Sequence, residues 1–349
     1  MKAICFRGTE QVSVETVPDP VILAQTDAIV QVELAGLCGS DLHLYHGREQ
    51  GADVGTVMGH EFVGRIAAIG NQVRALRVGQ RVCAPFTTNC GKCFYCQSGL
   101  TSRCAVGELF GWRTNRRGLH GGQAALVRVP FADATLVSVP ETVSDELALL
   151  WGDNLGTAFY CAELAEVSRE KTHVIIGCGT VGLLTIFAAR NSGAEHVIAF
   201  DIDPARLSQA ESFGAQAANS ERELVEMVNH RSDKRGADAV MELVGLPAAQ
   251  KLAFQVVRPG GILSVIGCHC TPQFAFSPMQ AYDKNLTYRT GRCPARHYMD
   301  KLAPLIQGHD FSELASLISH QFSIEQGVEA YDIFANRKDE CVKAAIAFA

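Results

Sequence analysis

The sequence predicts an α/β protein in which a β-rich domain is interrupted by a doubly wound parallel sheet. Three observations lead there. The chain has 349 residues, about two domains at roughly 150 residues each. Short apolar segments broken by Gly and Pro fill residues 1–154, whereas strand and helix patterns alternate over 155–291. Residues 292–349 return to mixed character, so this tail is expected to complete the first domain.

In the first part, 29–34, 62–69 and 78–84 read as strands, and Gly70-Asn71 closes the second as a turn. In the second part the apolar runs 173–176, 196–200, 239–244 and 261–266 read as strands. Helical patterns lie at 180–191, 204–213 and 247–257, with Pro204 in a first-turn position. Strand–helix–strand alternation implies parallel pairing with helices on both faces. No internal repeat, low-complexity tract or linker interrupts the chain.

Composition narrows the function classes. Hydrophobic residues are 47% and charged residues 19%, with a net charge of −6 and no long run of one sign. That argues against a nucleic-acid binder and against a basic membrane-surface protein. No apolar run reaches the roughly 18–20 residues of a membrane helix, and residues 1–7 lack a signal-peptide pattern. A cytoplasmic location is the expectation. There a disulfide framework is disfavoured, so the 13 cysteines point to metal binding or catalysis.

Four of them have ligand spacing. Cys90, Cys93, Cys96 and Cys104 form C-x2-C-x2-C-x7-C inside a segment of about 88–106. Two-residue gaps let thiolates converge on one ion, and four complete a closed tetrahedral zinc site. A closed site has no position for substrate, so its role would be structural. An iron–sulfur cluster and a zinc-ribbon module use similar spacings, but no redox partner motif and no basic, aromatic-interleaved patch accompanies these cysteines.

A second constellation holds Cys38, Ser40, Asp41 and His43 within six residues, followed by His60-Glu61. A lone histidine is more often a core or surface residue. Here a soft ligand, an imidazole and several carboxylates recur in one domain, and a catalytic zinc needs three protein ligands with one open position.

Gly177-Cys-Gly179-Thr180-Val181-Gly182 follows an apolar run and opens a helix. In that context G-x-G-x-x-G cradles a dinucleotide pyrophosphate. Asp201 lies 19 residues beyond Gly182, at the end of the next strand pattern. It is placed to accept the adenosine ribose hydroxyls and to repel a 2′-phosphate, which favours NAD; Arg206 is a mild counter-signal.

Taken together, these motifs resemble those of the zinc-dependent medium-chain alcohol dehydrogenases, in that family's order and over essentially the whole length. The resemblance implies a GroES-like catalytic domain and a Rossmann cofactor domain. It implies two zinc ions per chain, one structural in the four-cysteine lobe and one catalytic on Cys38, His60 and Asp153. Asp153 stands where animal and plant members have Cys, as in bacterial secondary alcohol and formaldehyde dehydrogenases. The segment 129–136 also resembles the formaldehyde-dehydrogenase-like group.

By the same resemblance, Asp41 would orient the His60 ring, and Glu61 could transiently replace the zinc water. Ser40 would bond the substrate oxygen and pass its proton on through the nicotinamide ribose to His43. Thr157 and Val181 would border the nicotinamide, and Arg206 would lie near the adenosine. Phe86 would line the substrate pocket, with Leu109, Phe110 and Trp112 as further wall candidates. The expected reaction is reversible hydride transfer between a small-molecule alcohol and NAD, in a homotetramer or, second, a dimer. Polyol or amino-alcohol dehydrogenation and a non-catalytic nucleotide-binding relative are the alternatives.

Overall fold

The computed structural model describes residues 1–308 and 311–348. The chain forms two compact units, Met1–Gly156 with Pro294–Ala349, and Thr157–Cys293.

The first unit is organised by the strand Ala28–Gly36. Its burial is nearly continuous, because apolar side chains cover both of its faces. Phe62–Ile69, Arg81–Cys83 and Val137–Ser138 extend the sheet on one side. Lys343–Ala347 and Ile318–Ser323 extend it on the other, and Leu126–Val129 also pairs with the central strand. The C-terminal strand thus sits beside the first long one, with Ala345 opposite Gly36. One face packs Val30, Val32, Phe62, Ile66, Val82 and Phe110. Phe62 and Phe110 meet edge to face at 5.2 Å, an arrangement that adds about 0.5–1.5 kcal/mol to their area burial.

The second unit is a six-stranded parallel sheet. Its spatial order is Gln216–Ala218, His196–Phe200, Thr172–Ile176, Ala237–Glu242, Val257–Val265, Thr287–Thr290. The chain starts at Thr172–Ile176, adds strands on one side, then crosses to the other. That reversal is the switch point where open α/β sheets bind ligands, and the glycine-rich turn follows the strand that carries it.

Among the helices not read from the sequence are Asp145–Gly152, Asn154–Leu164 and Ala295–Gly308. The first buries every residue from Leu147 to Gly152, which erases an amphipathic period. The last contains Pro304, which reads as a breaker. Among the described residues no helix is long and apolar enough to cross a membrane.

Candidate active site

Three element ends of the first unit converge on one cluster. Cys38 follows the central strand, His60 and Glu61 precede the strand Phe62–Ile69, and Asp153 follows the helix Asp145–Gly152. One ligand atom from each of Cys38, His60, Glu61 and Asp153 lies within 4.8 Å of the others. The helix end reaches the cluster because Gly152 passes close to the sheet. A Cβ there would meet the Ala84 carbonyl at 2.5 Å. Asp153 then leaves helical geometry, with φ −141° and ψ −70°.

Asp41 organises two of these groups. Its Oδ1 is 3.1 Å from His60 Nδ1, and its Oδ2 accepts the Cys38 backbone N–H at 2.9 Å. His60 Nδ1 therefore donates to Asp41, and Nε2 is the ring nitrogen that faces the other ligand atoms. Nε2 faces Asp153 Oδ2 at 3.5 Å and lies 3.2 Å from Ser40 Oγ. Burial opposes a charge on His60, yet the Asp41 and Asp153 carboxylates raise its pKa well above the ordinary histidine value. A site that holds a proton this firmly is electrostatically suited to a cation. Thiolate, imidazole and carboxylate match the donor set of a three-ligand zinc site, and a carboxylate on the far imidazole nitrogen is its usual support.

Behind Asp41 stands a buried relay that sequence reasoning missed. Gln123 Nε2 donates to the Gly36 carbonyl at 3.0 Å, and the Tyr331 hydroxyl donates to Gln123 Oε1 at 2.9 Å. Also unread were the partners of Glu61. Lys343 Nζ is 2.6 Å from its Oε2, and Asn154 Nδ2 donates to Oε1 at 2.8 Å. Burial alone would strip the Lys343 charge, but the Glu61 carboxylate outweighs it and raises the pKa. The signal available was a lysine inside the apolar run 342–348, since a fully buried lysine needs a partner.

The ligand atoms of Cys90, Cys93, Cys96 and Cys104 also lie within 4.8 Å of one another. The Cys90 N–H donates to Cys104 Sγ at 3.2 Å. Backbone N–H groups of Ala105 and Cys96 lower the Cys93 pKa, whereas burial raises those of Cys96 and Cys104. The lobe is tied to the helix Ala295–Gly308, whose His297 N–H reaches Thr101 Oγ1 at 3.4 Å.

In the second unit the helix Thr180–Asn191 begins at Gly179, and its N-terminal dipole favours an anion. Gly182 lets helix and strand approach. A Cβ there would sit 1.9 Å from the Gly177 carbonyl oxygen. Asp201 accepts the Cys178 N–H at 2.7 Å and the Asp203 N–H at 3.0 Å. Arg206 lies between Asp201 and Asp203, 3.8 Å from a carboxylate oxygen of each. The turn and its acid thus fit a dinucleotide.

The remaining expected residues are spread more widely. Phe86 stands edge-on to the His60 ring at 6.3 Å. Leu109 bridges to Thr87. Phe110 is packed in the sheet core with Phe62, and Trp112 lies in the strand Trp112–Thr114, packed against a second core cluster. His43 is buried in the short helix Asp41–Tyr45. Thr180 and Val181 open the helix after the glycine-rich turn, and Thr157 lies in the helix Asn154–Leu164.

Comparison with known proteins agrees with this geometry. Residues 24–141 match the family model of an alcohol dehydrogenase GroES-like domain, and residues 180–308 match that of a zinc-binding dehydrogenase. The chain is 37% identical over 343 residues to zinc-type alcohol dehydrogenase B of Aspergillus flavus, covering 96% of this chain and 78% of that protein. Its fold resembles alcohol dehydrogenase TADH from Thermus sp. ATN1, with a TM-score of 0.91, 36% identity and 99% of each chain covered. It also resembles a short chain alcohol dehydrogenase of Escherichia coli CFT073 complexed with the cofactor NADH. There the TM-score is 0.85 at 26% identity, covering 100% of this chain and 99% of that one.

Proposed function

The chain belongs to the zinc-dependent medium-chain alcohol dehydrogenase family, and we propose that it oxidises an alcohol to an aldehyde or ketone with NAD, reversibly. The observation that carries the reading is the Cys38, His60 and Asp153 set, with ligand atoms within 4.8 Å and Asp41 on the far nitrogen of His60. When bound, zinc supplies Lewis acidity that lets an alcohol lose its proton near neutral pH, and NAD supplies the hydride acceptor.

The protein's own residues do the rest. Cys38, His60 and Asp153 hold the metal, and Asp41 fixes the tautomer and tilt of His60. Ser40 Oγ, 3.2 Å from His60 Nε2, receives the alcohol proton and passes it towards His43. Imidazole suits that role because it titrates near neutrality. Phe86 gives the site an apolar wall. Cys90, Cys93, Cys96 and Cys104 hold a second, structural zinc. In the second unit the glycine-rich turn binds the pyrophosphate and Asp201 the ribose. Arg206 is already held by Asp201 and Asp203. A 2′-phosphate would face those two carboxylates, which supports NAD over NADP. The balance is alcohol plus NAD+ giving carbonyl, NADH and one proton.

The test is reduction of NAD+ and of NADP+ by the zinc-loaded protein, scanned over primary alcohols, secondary alcohols, polyols and hydrated formaldehyde. Turnover with NAD+ that Asp153→Ala abolishes is expected. Turnover with NADP+ alone would overturn the cofactor assignment. Full activity in Asp153→Ala would overturn the ligand assignment.

A further inference from the structure

Glu61 stands beside the metal-ligand set but is engaged on both oxygens. Lys343 Nζ is 2.6 Å from Oε2 and Asn154 Nδ2 is 2.8 Å from Oε1. A second contact holds the lysine, whose Nζ donates to the Leu37 carbonyl at 3.2 Å. The space is shaped for the carboxylate as well. A Cβ on Gly36 would lie 2.0 Å from Glu61 Oε2, so only glycine leaves room for it there. Glu61, Asn154 and Lys343 are each 1% exposed. Bulk solvent therefore does not compete for the carboxylate.

Resting on the assignment of Cys38, His60 and Asp153 as zinc ligands, we propose that Lys343, Asn154 and Gly36 form a cradle that keeps the Glu61 carboxylate off the metal. The cradle keeps the fourth coordination position open to the alcohol. Lys343 is thus a positioning residue acting through Glu61.

Charge and reach give the reason. The Cys38 thiolate, Asp41, Glu61 and Asp153 carry four formal negative charges, which a zinc ion and Lys343 together offset by three. With Lys343 made neutral, a metal held by Cys38, His60 and Asp153 is a cation within reach of Glu61, because a Glu61 ligand atom lies within 4.8 Å of those of the three. A fourth protein ligand converts an open zinc site into a closed one, which has no place for substrate.

The test compares cobalt(II)-substituted wild type, Lys343→Met, Lys343→Arg and the double variant Lys343→Met/Glu61→Gln. The readouts are the visible cobalt absorption, cobalt release to a chelator, and kcat against KM. In Lys343→Met the cobalt bands should shift, release should slow about tenfold, and kcat should fall more than KM rises. Lys343→Arg should keep the wild-type bands. Adding Glu61→Gln to Lys343→Met should restore them, since a neutral amide competes poorly for the metal. Should Lys343→Met fail to fold, Asn154→Ala removes the other arm without stranding a charge and should move the bands in the same direction.

Unchanged bands and release in Lys343→Met, or in Asn154→Ala where that variant stands in, would overturn the cradle while leaving the dehydrogenase reading intact. So would a double variant that keeps the altered bands. A wild-type spectrum from which Cys38→Ser removes no sulfur-to-cobalt band would overturn the ligand assignment itself.

Discussion

Asp41 touches two of the three proposed ligands, holding the Cys38 backbone with one oxygen and the His60 ring with the other. Its loss should therefore act on the metal and not on the fold. Asp41→Asn is expected to weaken zinc at this site about 10–100-fold, the usual cost of removing a ligand's hydrogen-bond partner. Chelator competition on the purified variant measures this, and unchanged affinity would contradict the role. Ser40, Asp41 and His60 were legible in the sequence because short motifs keep them together. Asp153 was legible only through resemblance, since a single aspartate after an apolar stretch carries no ligand signature. Lys343 and Asn154 were not legible. Each gains its meaning from a contact with Glu61, which lies 282 and 93 residues away in the chain.

At the scale of elements, the helix Asp145–Gly152 delivers Asp153. Its N-terminus is capped by Ser144, whose hydroxyl accepts the Leu147 N–H at 3.2 Å. Ser144→Ala should cost about 1 kcal/mol of stability, read as a lower urea midpoint, with zinc still bound. In the second unit the strand Thr172–Ile176 buries His173 completely. The ring meets the His196 carbonyl and the Ser168 N–H, each at 3.3 Å. Burial lowers its pKa below the ordinary 6.5. The unfolded chain then binds the proton more tightly than the folded one. The stability this group contributes is present above about pH 6.5 and is lost as pH falls below it. His173→Gln should flatten that part of the stability-against-pH curve, and an unaltered slope would contradict the assignment. The strands of this unit were legible because parallel strands read as apolar runs. The helix Ala295–Gly308 was not, since Pro304 interrupts its pattern.

Across the whole molecule the two units divide the chemistry, one holding the proposed metal sites and the other the glycine-rich turn. The cysteine lobe should be separable from catalysis. Cys96→Ser is expected to lower zinc from two ions per chain to one and to reduce thermal stability, while the Cys38 site keeps its metal. Metal analysis that shows loss of both ions would contradict a purely local role for the lobe. NAD should stabilise the protein by mass action, by about 2.7 kcal/mol when its concentration is a hundred times its dissociation constant. The two-unit plan was legible because the hydrophobic period changes along the chain. How the tail joins the first sheet became clear only from the pairing of Lys343–Ala347 with Ala28–Gly36.

The most direct test of the central claim follows the hydrogen itself. The best alcohol from the substrate scan is prepared with deuterium on its carbinol carbon and oxidised by the zinc-loaded protein with NAD+. Direct hydride transfer predicts one deuterium on each NADH formed, with none passing to water. NADH formed without deuterium, or no reduction of NAD+ by any alcohol, would contradict the account.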